Sequence, residues 1–313
     1  MLARVANNLF WMGRYLERTE HLARFLNINY FSSLDAPNEI SQSRQFVLKS
    51  IVYMINDVVV DTDKDLNEKE TLYDVALNPD NEFSILNCFK YARENASSAR
   101  DLLSIELFQA INKLFHYIKN YDVDLFVVKG LDEFTSVITK EITALRGKIN
   151  ETLIHDEAYA IIALGLNLER ATQVIRIINT KYIDAKSSKS ELADNFNTSY
   201  EWTTLLKCIQ SFDMMKRYYK KVPVTSDTLA FLILNDSCPR SVLSCLNNTE
   251  KNIKILTTDE KDKFSTSFLI SKTKSQYKYM TIDEIEGSFE QFIEDTITKI
   301  TAISVSLEKE FFA

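Results

Sequence analysis

The chain has 313 residues, of which only 5 are Gly and 4 are Pro, where average usage would give roughly 22 and 16. A protein rich in β-sheet or in glycine loops needs more turn residues than this, so the composition favours helices. The net charge of −7 and the pI near 5.2 offer no general basic surface, so neither nucleic acid nor a membrane is expected as a partner.

The placement of charges and cysteines indicates a compartment. Arg4, Arg14 and Arg18 interrupt the apolar residues at the N-terminus, so neither a secretory signal nor a membrane span fits there. The four cysteines lack both the paired spacing of a metal site and the density of a secreted disulfide scaffold. We therefore expect a bacterial-type cytoplasmic protein with free thiols.

Helical periodicity extends along nearly the whole chain. Turn residues such as Pro37, Pro79, Pro223 and Pro239 mark boundaries between the periodic segments. The predicted helices cover residues 4–30, 39–58, 66–77, 82–103, a segment through 117, and then 131–150, 155–182, 200–219, 226–234 and 240–246.

Two further segments differ from this pattern. Residues 184–195, DAKSSKSELADN, are predicted to form a mobile connection because polar residues dominate there. Residues 264–273 hint at a strand through their β-branched content, which a buried helix would tolerate equally well.

The last helix has the clearest sequence signal. Thr281 and Glu284 have the spacing of a capping box, and apolar residues follow at helical spacing as far as Leu307. The fold class predicted from all these segments is all-α, a multi-helix bundle of about eight to ten helices that forms one domain over residues 1–313.

A short charged motif recurs along the chain. Residues 13–26 read GRYLERTEHLARFL and residues 165–178 read GLNLERATQVIRII, while residues 91–103, YARENASSARDLL, have the first two charges exchanged. The acid–base couplets begin at residues 17, 93 and 169, so the intervals are equal. An arginine follows seven residues after the start of each couplet, on the same helix face and about 10.5 Å along the axis. We expect the three helices to bring these charges to a common place.

The first helix has apolar residues on two sides. Leu9, Met12 and Leu16 form the expected core stripe, but Phe10 and Trp11 lie among the charged residues of the opposite side. This pattern predicts a helix that is contacted on both sides and charges that are partly buried. Gly13 and Gly165 would allow close helix approach despite their low helix propensity.

Five blocks resemble a known family in collinear order. They are MLARVANNLFWMGRYLERTEHLARFL, SILNCFKYARENASSARDLLSIELFQAIN, LGLNLERATQVIRII, WTTLLKCIQSFDMMKRYYKK and FLILNDSCPRSVLSCL. They resemble the bacterial alpha-E domain family, helical proteins of unknown biochemical role named for an "ER" motif. The resemblance covers residues 1–250 and leaves 260–313 as a C-terminal helical extension. It implies association with an ATP-grasp-like ligase and a transglutaminase-like protein in an amide-ligation or peptide-modification system.

The motif arginines outnumber the motif glutamates, six to three, in a protein whose overall charge is negative. They could form interhelical ion pairs with the glutamates, or the surplus could bind an anionic small molecule or a peptide, because guanidinium groups bind phosphate and carboxylate in bidentate fashion. The candidate ligand-binding residues are Arg14, Glu17, Arg18, Arg93, Glu94, Glu169, Arg170 and Arg240.

Catalysis has weaker support in the sequence. Glu17 and Glu169 could act as general bases, or with Glu94 could hold a hydrated Mg²⁺, but neighbouring arginines would lower their pKa values. The paired Glu-x-x-His pattern of di-metal bundles is missing, so no metal site is predicted, and no cofactor can be named. Two functions stay open: an accessory or interaction component of the ligation system, or an enzyme or half-enzyme with the Glu/Arg cluster as its site.

Overall fold

The structure is a computed structural model that describes residues 2–32, 43–56, 65–126, 130–187, 194–257 and 265–312. All regular elements within these ranges are helical, which confirms the all-α prediction. The described ranges contain fifteen α-helices rather than the eight to ten expected. None of these helices combines the length and the apolar character that a bilayer span requires.

The first eight helices follow one another along the chain with a 3₁₀ turn, Arg100–Leu102, before the fifth. They are α1 Ala3–Ser32, α2 Arg44–Asn56, α3 Glu68–Ala76, α4 Ile85–Ser98, α5 Ile105–Lys119, α6 Val123–Leu125, α7 Leu131–Thr152 and α8 Glu157–Ser187.

The remaining helices end in a π-helical segment, Glu308–Phe312. They are α9 Asp194–Cys208, α10 Phe212–Tyr219, α11 Thr225–Ile233, α12 Val242–Leu256, α13 Thr266–Tyr279, α14 Ile282–Gly287 and α15 Phe289–Leu307.

Backbone breaks explain part of the excess over the predicted helix number. Gln210 has a φ of 58°, which ends the helical path between α9 and α10 where one helix was expected. Ser288, with φ −150° and ψ 58°, separates α14 from α15 in the same way. The capping box at the start of α14 is present, and Thr281 N–H donates to Glu284 Oε1 at 3.3 Å.

Other boundaries also differ from the prediction. Helix α12 continues to Leu256, and residues 266–273 belong to α13 rather than to a strand. Helix covers both ends of the predicted connection at 184–195, and its residues 188–193 lie outside the described part of the chain. Residues 39–42 and 57–58 of the predicted second helix also lie outside the described part.

Helices α1 and α8 form the centre of the fold. Helices α4, α7 and α9 pack against α1, and α12 and α15 pack against α8. Leu9, Met12 and Leu16 of α1 are fully buried, and so is Phe10 on another side of the helix. The prediction that α1 is contacted on both sides is therefore confirmed.

Two glycines set the distance between α1 and α8. A Cβ atom on Gly165 would lie 2.2 Å from the carbonyl oxygen of Phe10, and one on Gly13 would lie 2.5 Å from that of Ile162. No side chain fits at such distances in a close-packed interior, so both positions require glycine. The two backbones touch here, and the charged couplets one turn further on consequently face each other across the contact.

Candidate functional site

The first and third couplets pair reciprocally across the α1–α8 contact. Arg170 donates to Glu17 through Nε at 2.7 Å and through Nη2 at 2.8 Å. Arg18 donates to Glu169 through Nε at 2.6 Å and through Nη2 at 3.1 Å. Each couplet thus supplies a carboxylate to the other helix and receives a guanidinium group in return, which confirms that the motif forms interhelical ion pairs.

In the Glu169 group, which comprises Glu169, Arg14, Arg18 and Gln173, both carboxylate oxygens of Glu169 accept hydrogen bonds. Besides Arg18, Arg14 Nε donates to Glu169 at 2.7 Å and Gln173 Nε2 donates at 2.8 Å. Burial alone would raise the pKa of Glu169, but Arg18 and Arg14 hold it well below its usual range. The guanidinium groups themselves lie over aromatic rings, with Arg14 5.0 Å from the ring of Trp11.

A second group surrounds Glu17 and Glu20, one turn apart on α1. Both carboxylates are fully buried. Arg146 of α7 bridges them, because it donates to Glu17 at 3.2 Å and to Glu20 at 3.0 Å. Arg24 donates to Glu20 as well, and Arg240 approaches the same carboxylate at 3.4 Å. The Glu17–Glu20 group therefore consists of two carboxylates and the guanidinium groups of Arg24, Arg146, Arg170 and Arg240.

Both carboxylates of this group stay ionised. Burial would raise the pKa of Glu17, but Arg170 and Arg146 lower it to about 2. The pKa of Glu20 is likewise lowered well below its usual range, because Arg24, Arg146 and Arg240 outweigh the effect of burial. A general base needs a pKa near the working pH, so neither carboxylate suits that role.

His21 follows Glu20 on α1, is fully buried, and has its Nδ1 3.5 Å from Glu17 Oε1. Burial lowers its pKa to about 4, so its ring is neutral near pH 7. Side-chain atoms of Glu17, Glu20 and His21 lie within 4.8 Å of one another, a spacing that could hold a metal ion. The four guanidinium groups around the carboxylates would repel a divalent cation there, so electrostatics disfavour a metal at this point.

The two groups together hold a surplus of positive charge. Together they contain six arginines and three glutamates, and His21, next to Glu20, is neutral. The sequence predicted the same ratio from partly different residues. Buried surplus cations need either solvent or an anion as a counterpart.

A cavity of about 490 Å³ opens beside the Glu17–Glu20 group. Helices α7, α8 and α12 surround it. No carboxylate contributes to its wall among the described residues. Its polar lining consists of Arg146, Arg170, Arg240 and Lys251 together with Asn150, Asn167, Asn248, Asn252, His155 and Tyr159.

Arg240 is the least satisfied cation of the cavity wall. It precedes Ser241, the N-cap of α12, whose hydroxyl accepts from Ser244 N–H at 3.0 Å. Arg240 Nη2 donates to Gln210 at 2.8 Å. The buried Nη1 of Arg240 finds no hydrogen-bond partner in the described parts of the chain. Burial is the main reason that the pKa of Arg240 is lowered to about 10; Glu20 and Glu17 act to raise this pKa, and Arg24 and Arg170 act to lower it.

The middle couplet lies elsewhere. Arg93 donates to Asn112 at 2.7 Å and covers the ring of Phe115, and Glu94 is exposed. Ala92 is fully buried, and at 100° per residue the next two side chains take other directions, Arg93 towards α5 and Glu94 towards solvent. The structure thus brings together six of the eight candidate residues, without Arg93 and Glu94. Arg170 and Arg240 line the cavity, whereas Arg14 and Arg18 belong to the Glu169 group.

Sequence reasoning missed three important residues of the site. They are Glu20, which lies within the first repeat of the motif, and Arg146 and Lys251, which lie outside it. A signal for Arg146 existed, because helical spacing puts it on the buried stripe that Ile142 and Ile149 form on α7. No comparable sequence signal distinguishes Lys251.

Comparison with known families agrees with this motif. A sequence model of the Alpha-E family, described as a predicted alpha-helical domain with a conserved ER motif, matches residues 1–312. The chain therefore belongs to the Alpha-E family, and the match includes the C-terminal helices beyond residue 250. No significant match was found among curated proteins or among solved structures.

Proposed function

We propose that this Alpha-E protein binds an anionic small molecule, or the carboxylate of a peptide, in the cavity between α7, α8 and α12. The observation that carries this proposal is Arg240, a largely buried guanidinium group on the cavity wall whose Nη1 lies 3.9 Å from Glu17 Oε1 but makes no hydrogen bond within the described residues. A phosphate or carboxylate oxygen would supply the missing acceptor through a charge-assisted hydrogen bond.

The charges around the cavity support an anion rather than a neutral ligand. Arg146 and Arg170 are fixed by their bonds to Glu17 and Glu20, so they face the cavity as ordered cations. Lys251 adds an exposed ammonium group to the same wall. An anion that enters there meets positive charge that is already ordered, so binding requires little further ordering of side chains.

The remaining lining suits a small molecule. A cavity of about 490 Å³ lies within the range of roughly 300–1,000 Å³ that is usual for ligand sites. Its asparagine side chains can donate and accept hydrogen bonds. The rings of His155 and Tyr159 stack with their centroids 3.9 Å apart and add flat ring surface to the same wall.

The proposed role is that of an accessory component in an ATP-grasp-associated amide-ligation or peptide-modification system, with a ligase-like and a transglutaminase-like protein as partners. Family resemblance suggests the partners, and the chemistry of the cavity is compatible with them because amide ligation starts from a carboxylate. The alternative of an enzyme with the Glu/Arg cluster as its site has less support, since the low pKa values of Glu17 and Glu20 make them poor bases.

Isothermal titration calorimetry with inorganic phosphate, nucleotides, acidic amino acids and short peptides tests the ligand. We expect at least one of these anions to bind the wild type and its affinity to fall by about 10- to 100-fold in Arg240→Met, because a hydrogen bond to a charged group contributes roughly 1.5–3 kcal/mol. Arg93→Met is the matched control, since Arg93 belongs to the motif but lies away from the cavity. A panel without any binding, or equal losses in both variants, would contradict the proposed site.

Affinity purification from the native host tests the partners. We expect mass spectrometry to identify an ATP-grasp-like ligase or a transglutaminase-like protein together with the tagged wild-type chain. Their reproducible absence would contradict the accessory role while leaving the ligand site to the calorimetric test.

A further inference from the structure

A second surface of the protein carries a local excess of positive charge. Between Lys207 and Lys221 the chain has five Lys or Arg residues and a single carboxylate, Asp213, although its net charge is −7. Lys221 is paired with Asp227 at 2.6 Å. Three exposed cations of this stretch, Lys216, Arg217 and Lys220, lie on or next to α10.

The same surface exposes apolar groups beside these cations. Tyr218 is 61% exposed and Val222 is 65% exposed. Single exposed apolar residues are normal, but here they adjoin two cavities, one on each side of α10. We call this region the α10 surface and define it by Met214, Lys216, Arg217, Tyr218, Lys220 and Val222.

The two cavities combine apolar floors with cationic edges. One has a volume of about 440 Å³, with Met214 and Phe231 in its wall and Arg217 beside them. The other has a volume of about 630 Å³ and is lined by Phe212, Val222, Lys216, Lys220 and Lys221, among others. Each is large enough to receive apolar side chains from outside, and each has cations at hand for acidic neighbours of those side chains.

We propose that the α10 surface is the docking site for an acidic amphipathic segment of a partner protein. Apolar side chains of that segment would fill the cavities on either side of α10, and its carboxylates would pair with Lys216, Arg217 and Lys220. Charge complementarity selects an acidic occupant, and the apolar floors select one with regularly spaced apolar residues.

The geometry favours a protein segment over a membrane. Helix α10 has 8 residues and is therefore about 12 Å long, whereas interfacial membrane helices often have 20–30 residues. Its apolar contact area also continues into concave cavities, which side chains can enter but a bilayer surface cannot follow.

The docking site would lie next to the anion cavity. Asn235, Ser237 and Cys238 line the smaller α10 cavity, and Pro239 and Arg240 of the same loop line the anion cavity. A partner on the α10 surface would thus contact the loop that holds Arg240. The docking proposal itself does not depend on which anion binds, or on whether one binds.

Fluorescence anisotropy with synthetic peptides tests the docking site. The probe is a labelled 15-residue peptide with Leu at positions i, i+3, i+4 and i+7 and Glu at the remaining surface positions. We expect it to bind the wild type, and Lys216→Glu/Lys220→Glu to weaken binding about tenfold or more. The matched control is Lys272→Glu/Lys278→Glu on α13, where both lysines are exposed and distant in sequence from α10. Circular dichroism checks that both double variants remain folded.

A second peptide separates specific docking from simple charge attraction. When Ser replaces each Leu and the Glu residues are kept, we expect affinity to fall about tenfold or more, because the cavities lose their apolar occupants. Equal binding of the two peptides, or equal effects of the two double variants, would overturn the proposal. Binding to phosphatidylserine vesicles or to a single-stranded oligonucleotide, without binding to the Leu/Glu peptide, would also overturn it.

Discussion

Glu169 and Glu17 occupy equivalent positions of the repeated motif, yet their surroundings differ. Glu169 accepts hydrogen bonds from Arg14, Arg18 and Gln173, and these arginines are covered by aromatic rings. Glu17 shares Arg146 with Glu20, and the guanidinium groups of Arg146, Arg170 and Arg240 on that side border a cavity. We call the Glu169 side of the α1–α8 contact, where aromatic rings cover the arginines, the closed side, and we call the side that borders the cavity the open side.

The difference between the two sides shows that the same motif can have different surroundings. On the closed side two arginines surround one carboxylate, and Gln173 completes its hydrogen bonds. On the open side Arg146 and Arg240 are added from α7 and from the N-terminal end of α12, outside the motif. The motif therefore supplies the interhelical ion pairs, and the elements packed around it decide whether a cavity forms beside them.

The largest expected effect is on the closed side. We expect Glu169→Ala to lower the free energy of unfolding by roughly 3–5 kcal/mol, because it leaves Arg14 and Arg18 without their buried counter-charge. The matched control is Glu94→Ala, the acid of the middle couplet, whose exposed position predicts a change within about 0.5 kcal/mol. Urea denaturation measures both. Similar small changes in the two variants would show that Glu169 is not a structural residue.

The sequence reveals the closed side better than the open side. The paired couplets and the two glycines can be read from residues that recur at equal intervals on two helices. The anion cavity depends instead on how α7, α8 and α12 are placed, since it unites Arg146, Arg170 and Lys251 from three distant parts of the chain. Periodicity within one helix carries no information on that arrangement.

The break between α9 and α10 cannot be read from the sequence for a related reason. Gln210 adopts a positive φ although it is neither Gly nor Asn, so no turn residue marks the end of α9. The middle couplet, conversely, has the right spacing but the wrong orientation. Arg93 contacts Asn112 and Phe115 of α5, and Glu94 is exposed, so neither meets the couplets of α1 and α8.

An intermediate effect is expected from His21 on the open side. Its folded-state pKa of about 4 lies below the ordinary value of 6.5, chiefly through burial, with Arg240 and Arg24 acting against Glu17 and Glu20. The unfolded chain therefore binds a proton between pH 6.5 and pH 4 that the folded chain does not. The neutral His21 therefore contributes to the free energy of unfolding fully above pH 6.5. This contribution is lost as the pH falls towards 4, and the free energy of unfolding decreases by roughly 3 kcal/mol in all.

Urea denaturation between pH 7 and pH 4.5 measures this dependence. We expect His21→Gln to reduce the slope of stability against pH by up to about 1.4 kcal/mol per pH unit, the value for one proton. His116→Gln is the control, because His116 is exposed. A slope that is the same in the wild type and in both variants would show that His21 is not held neutral by its surroundings.

The smallest stability effect is expected at Arg240, in contrast to its large expected effect on ligand binding. Burial lowers the pKa of Arg240 to about 10, so folding disfavours its charged form, and Glu20 keeps Arg24 and Arg146 when Arg240 is removed. We expect Arg240→Met to change the free energy of unfolding by less than about 1 kcal/mol, since an apolar side chain of similar length avoids the cost of burying a poorly paired charge.

Urea denaturation of Arg240→Met and Glu169→Ala under the same conditions provides the comparison. A loss as large as that of Glu169→Ala would place Arg240 among the structural ion pairs and would remove the main support for a binding role, because a cation that the fold needs for stability has no need of a ligand to explain it.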